Sequence, residues 1–98
     1  MLVPTADVDW IEAHGYTSRV HAGGRVYKLR ESLQHLEQRL DPAMFVRIHR
    51  SAIVRVDRIR ELDRYYRDSF TVILLDGTRL LLSRRRRAAL ELALGQHL

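Results

Sequence analysis

From Phe45 to Leu82 the chain is a succession of short β-forming apolar runs: Phe45 to Ile48, Ala52 to Val56, Ile59 to Tyr66, Phe70 to Leu75 and Thr78 to Leu82. Each is of strand length and bounded by polar or turn-forming residues, so this half of the molecule must be built from small sheets. Asp76-Gly77 between the last two runs is the strongest hairpin signal in the chain, because tight hairpin loops need positive φ and Gly supplies it. Phe70, Val72 and Leu74 alternate with Thr71, Ile73 and Leu75, which makes both faces of that run largely apolar. Such a strand is expected to lie between other elements.

The first half reads differently. A short apolar segment, Val8 to Ala13, meets a polar break at His14-Gly15. Thr17 to His21 and Arg25 to Leu29 follow as hairpin strands joined by Ala22-Gly23-Gly24. Leu29, Leu33, Leu36 and Leu40 then recur at helical spacing, with Ser32 as N-cap and Asp41-Pro42 as the stop. This predicts one amphipathic helix of about three turns. From about Arg85 the residues are again helix formers, with Ala89, Leu90, Ala93 and Leu94 on one face and an end near Gly95. Repeats, low-complexity tracts and linkers are absent, and 98 residues make a single domain, 1–98, that hides only about 60 to 65% of its unfolded surface.

Charge is unevenly distributed. Residues 1–42 carry five basic and six acidic side chains, net −1, whereas residues 43–98 carry twelve and six, net +6. A field of this sign favours encounter with polyanions without choosing between DNA, RNA and an anionic membrane. Arg outnumbers Lys 16 to 1, so where the arginines fall carries more information than their number. With no cysteine, a disulfide framework, a thiol nucleophile and a Cys-based zinc site are all excluded. No apolar run approaches the roughly 18 residues of a membrane span and the N-terminus lacks signal-peptide regions, so a cytoplasmic location and no membrane partner are expected.

Within the basic half, Arg47, His49, Arg50 and Ser51 interrupt the apolar run Phe45 to Arg55. A guanidinium fork matches a phosphate or the O6/N7 edge of guanine, and Ser and His add shorter hydrogen-bonding arms. A second cluster, Ser83-Arg-Arg-Arg-Arg87, opens the C-terminal helix, where the macrodipole disfavours cations and an anionic partner would relieve them. By contrast Arg55, Arg58, Arg60, Arg64 and Arg67 alternate with Asp57, Glu61, Asp63 and Asp68 and read as a solvated, paired face. His14, His21, His35 and His97 lack the spacing of a metal set, and no cofactor is expected. Trp10 and Phe70 read as core, and Tyr65-Tyr66 as one ring on each face of a strand with one of them exposed. No phosphate loop or nucleophile elbow is present, so the chain does not read as an enzyme.

Taken in order, Trp10-Ile-Glu-Ala13, Gly15-Tyr16, Val20-His21, the Ser32-Leu-x-x-Leu-Glu37 helix, Phe45-x-Arg-Ile-His-Arg-Ser-x-Ile-Val54 and Leu75-Asp-Gly-x-x-Leu-x-Leu-Ser83-Arg84 resemble the LytTR DNA-binding domain from end to end. The resemblance implies a mainly β fold: an elongated β-sandwich of small antiparallel sheets with one short amphipathic helix in the middle and a C-terminal helix. It also implies a bacterial transcription regulator of the response-regulator type that inserts loop residues, not a recognition helix, into successive major grooves of double-stranded DNA. Carried over by position, His14, Tyr16, Thr17, Arg50 and Arg84 would contact bases. Arg47, Ser51 and Arg87, with His49 and Arg85 beside them, would contact phosphate and set register. Tyr16 stands where many members of the family carry Asn. The resemblance further implies pairing on repeated half-sites about one helical turn apart and a phosphorylatable receiver domain in a longer parent protein. Two other readings of the residues stay open: a basic β module for RNA or single strands, and a protein-interaction domain with an acidic partner.

Overall fold

The computed structural model describes residues 5–98. Eight strands form two antiparallel sheets and two α-helices pack against them. The larger sheet holds β1 (Val8–His14), β2 (Thr17–Ala22), β3 (Arg25–Leu29), β4 (Phe45–His49) and β5 (Ala52–Arg55) in the order β3-β2-β1-β5-β4. The smaller holds β6 (Ile59–Tyr66), β7 (Ser69–Leu74) and β8 (Arg79–Leu82) as a meander. Helix α1 (Leu33–Arg39) connects β3 to β4, and α2 (Arg87–Leu94) follows a 3-10 turn at Arg84–Arg86. The molecule measures 41 × 24 × 23 Å, an elongated mainly β body as the sequence predicts. Among the described residues no helix is long and apolar enough to cross a membrane.

Alternation along the strands of the larger sheet builds two interiors, one on each face. Trp10, Val46, Ile48, Ala52 and Val54 face the smaller sheet, where Phe70, Val72, Leu74 and Leu82 meet them and Leu90 of α2 closes the end. Val8, Ile11, Val20, Ala22, Phe45 and Ile53 face the other way and are covered by Leu33 and Leu36 of α1. The predicted internal strand is β7, central in its sheet, with Val72, Ile73 and Leu74 all buried.

Three local readings need correction. The helix is two turns, not three: Leu29 ends β3, opposite Ser18, and Leu40 is the C-cap. Both pack against the α1 interior from outside the helix, so the leucine spacing reports one buried side rather than one helix. The start is as expected, with the Ser32 side chain accepting from the His35 N–H at 3.1 Å. Tyr65 and Tyr66 are both exposed, because the ladder shifts register between Arg64 and Tyr66 and β6 is an edge strand. At the C-terminal end Leu90 is fully buried and Ala93 and Leu94 pack beside it, but Ala89 faces outward. The helix stops at Gly95, whose φ of +71° and N–H to the Glu91 carbonyl form a left-handed cap.

Candidate nucleic-acid interface

The loop between β1 and β2 is two residues, Gly15-Tyr16, and its first position takes a φ of +61° that suits glycine. Thr17 donates its hydroxyl to the His14 carbonyl at 2.8 Å, and the Arg19 guanidinium donates to His14 Nε2 at 3.1 Å. These contacts fix the loop and leave Tyr16, 96% exposed, projecting from it.

Arg50-Ser51 is the loop between β4 and β5, and four internal contacts hold it. Arg47 gives one arm to the Arg50 carbonyl at 2.7 Å and its Nε to the His49 carbonyl at 3.3 Å. His49 Nδ1 accepts from the Ser51 N–H at 3.2 Å. The Ala13 N–H donates to the Ser51 carbonyl at 2.9 Å, which ties this loop to the end of β1 and so to the first loop. The side chains divide accordingly. Arg50 is exposed and free of ion pairs among the described residues, whereas Arg47 is only 13% exposed and pairs with Glu37 at 3.1 Å.

The basic run after β8 joins the same edge, because the Ser83 N–H donates to the Ile48 carbonyl at 2.8 Å. Arg84 and Arg85 are exposed and, among the described residues, have no carboxylate partner. Their neighbours do. Arg86 pairs with Glu37 at 3.0 Å. Arg87 reaches Glu91 at 3.3 Å and Asp68 at 3.6 Å, donates to the Leu98 carbonyl and lies 5.2 Å over the Phe70 ring. His49, Arg50, Ser83, Arg85 and Arg86 together line one shallow cleft of about 230 Å³.

All three segments singled out from the sequence therefore meet along one edge: His14 to Thr17, His49 to Ser51, and Arg84 onward. Sequence reasoning took Arg86 only as part of its run and passed over Glu37, and the two clamp two of these segments; nothing in the helical period of α1 says which cation Glu37 will meet. Three of the five arginines of the central stretch have carboxylate partners, whereas Arg64 and Arg67 have none among the described residues. Arg58 binds Asp9 at 2.9 Å, Arg55 binds Asp57 at 2.9 Å and Arg60 binds Glu61 at 3.1 Å. The remaining histidines are also occupied: His21 stacks on Trp10 at 4.1 Å and meets Glu12 at 3.0 Å, while His35 and His97 pair with Glu31 and Glu91. Trp10 and Phe70 are buried, which removes them from any stacking platform for bases.

Comparison with known proteins bears on family and fold. The family model of the LytTr DNA-binding domain matches residues 1–95. The transcriptional regulatory protein LytR of Staphylococcus aureus strain MW2 is 34% identical over 74 residues, covering 76% of this chain and 30% of that protein. The CO-responsive transcriptional regulator RcoM of Rhodospirillum rubrum is 39% identical over a stretch of the same length and the same coverage. A solved LytTr DNA-binding domain from Bacillus cereus superposes with a TM-score of 0.87 at 28% identity, covering 97% of this chain and 87% of that one. The chain spans about 30% of the length of these two regulators.

Proposed function

Because the chain belongs to the LytTR DNA-binding domain family, we propose that it is the operator-reading part of a bacterial transcription regulator and reads double-stranded DNA with loops, not with a helix. The observation that carries this reading is the pair of backbone hydrogen bonds, Ala13 to Ser51 and Ser83 to Ile48, that join three polar or basic segments into one edge. Arg50, Arg84 and Arg85 are free guanidinium forks on that edge, and Arg50 and Arg84 are assigned to guanine O6 and N7 in neighbouring major grooves. The His14 to Thr17 loop adds a third reading point, in which exposed Tyr16 offers a ring and a hydroxyl. Ser51 and Arg85, both exposed, are assigned to phosphate. Arg47, His49 and Arg87 already use donors or acceptors inside the fold, so we assign them to holding the loops and not to gripping DNA.

The two regulators share their match to this domain although only one is named for a response to carbon monoxide. The input therefore belongs to segments outside the match, and a phosphorylatable receiver is one such input. Two copies on half-sites about one helical turn apart are the proposed bound form.

Selection from a randomised duplex pool at near-physiological salt, with Arg50→Ala in parallel, tests the reading. A repeated short motif should be enriched, and the variant should lose about 1 to 3 kcal/mol on it and relax one position. Salt-sensitive binding to every duplex with no enrichment would instead mark a non-specific basic module.

A further inference from the structure

One carboxylate joins two of the three reading segments. Glu37 follows Leu36, which is buried against the larger sheet, so the backbone of α1 holds it in place. Its Oε1 accepts from Arg47 at 3.1 Å and its Oε2 from Arg86 at 3.0 Å. Arg47 in turn holds the carbonyls of His49 and Arg50. A continuous chain of hydrogen bonds thus runs from the Arg50 loop through Arg47 and Glu37 to Arg86, in the turn that carries Arg84 and Arg85. A planar guanidinium spreads its donors over three nitrogens, so Arg47 serves a carboxylate and two carbonyls on different sides at once.

Glu37 and Arg86 are each about one-third exposed, so their pair adds little to global stability, and Arg47 keeps two backbone carbonyl acceptors when the carboxylate is replaced. Their consequence is geometric. The basic turn is held at its two ends, by the Ser83 to Ile48 backbone bond beside β8 and by α2, whose Leu90 is buried in the core. The Glu37 to Arg86 contact adds a hold within the turn itself and ties it to the Arg47 that supports the Arg50 loop. It also occupies Arg86 with a carboxylate that Arg47 shares, leaving Arg84 and Arg85 as the exposed pair of the run.

We propose that Glu37 is a specificity-determining positioning residue: it sets the spacing between the Arg50 and Arg84 reading points and withholds Arg86 from non-specific phosphate binding. The inference rests on the DNA-reading function proposed above. Competition binding of wild type and Glu37→Gln to the selected duplex and to a scrambled duplex of equal length, over a salt series, tests it. The variant should keep its melting temperature and lose about tenfold in preference, the size of one misaligned base contact. Its binding to the scrambled duplex should tighten, with a salt slope steeper by about 0.9, because freed Arg86 neutralises one more phosphate. A merely structural residue would weaken both duplexes alike and leave the ratio and the slope unchanged.

Arg86→Ala provides a second route that keeps Glu37: preference should fall without a steeper slope, and undiminished preference would overturn the proposal even if the Gln variant did not fold. A wild type that discriminates beside a Glu37→Gln protein with equal preference and unchanged slope overturns the inference alone. A wild type that does not distinguish the duplexes sinks the proposed function and this inference with it.

Discussion

Arg84, Arg85, Arg86 and Arg87 are consecutive and chemically identical, yet the fold gives them different surroundings. The first two are exposed without acidic partners among the described residues, and the other two are held by Glu37 or by Glu91, Asp68 and the Phe70 ring. Different losses follow from truncating each. Arg84→Ala should cost about 1 to 3 kcal/mol on the preferred duplex and relax one position. Arg85→Ala should weaken all duplexes alike and lower the salt slope by about 0.9. Arg87→Ala should instead cost about 1 kcal/mol of folding stability, from its i,i+4 pair and its place over Phe70, with little change in slope. Salt-series binding and urea unfolding of the three variants separate these outcomes; equal slopes for Arg85→Ala and wild type would remove Arg85 from the phosphate set. The run itself was visible in the sequence, as was Arg50 breaking an apolar strand. Which arginine is free was not, because the partner of Arg86 lies 49 residues away on another element.

At the scale of elements, turns were the most legible feature because their chemistry is local. Gly23 and Gly24 take φ of +58° and +80°, the left-handed pair that a tight hairpin loop requires. In the β7–β8 turn Gly77 sits at +89° and donates its N–H to the Leu74 carbonyl, and Asp76 Oδ1 accepts from the Thr78 N–H at 2.9 Å. That backbone donor, helped by the Thr78 side chain, holds the Asp76 carboxyl below its ordinary value. A carboxyl lower in the folded than in the unfolded chain stabilises fully above the ordinary value, and its contribution disappears as pH falls through the folded one. Asp76→Ala should therefore cost about 1 kcal/mol at neutral pH, kept small by solvent exposure, and much less in acid below the carboxylate range. Urea unfolding at the two pH values checks this; a gap that stayed constant would mean that the charge contributes nothing. Elements set by distant pairing were harder to read. Leu29 has helical spacing to Leu33 but belongs to β3, and the exposure of both Tyr65 and Tyr66 depends on a register shift that no local signal announces.

For the molecule as a whole, shape and charge together limit how DNA can be covered. Arg55, Arg58, Arg60 and Arg79 pair with nearby acids, so among the described residues the unpaired charge of the second half divides between the reading edge, at Arg50, Arg84 and Arg85, and the β6–β7 hairpin, at Arg64 and Arg67. One body of 41 × 24 × 23 Å has a long dimension comparable to one helical turn of duplex, about 34 to 36 Å. Two copies whose half-sites lie one turn apart present their reading edges to the same side of the helix and come within contact distance. An insertion of about five base pairs rotates the second half-site by roughly half a turn and carries its copy to the opposite side, where the two bodies no longer meet. Pairing on DNA is therefore expected to be phase-dependent: the half-turn insertion should cost about tenfold in joint occupancy, or about 1.4 kcal/mol, and a full-turn insertion should recover part of it by restoring the shared face. Sedimentation or gel-shift titration of the three duplexes measures this directly. Identical occupancy at all three spacings would show that each copy binds alone, and that paired half-sites raise affinity only by offering the domain two independent targets.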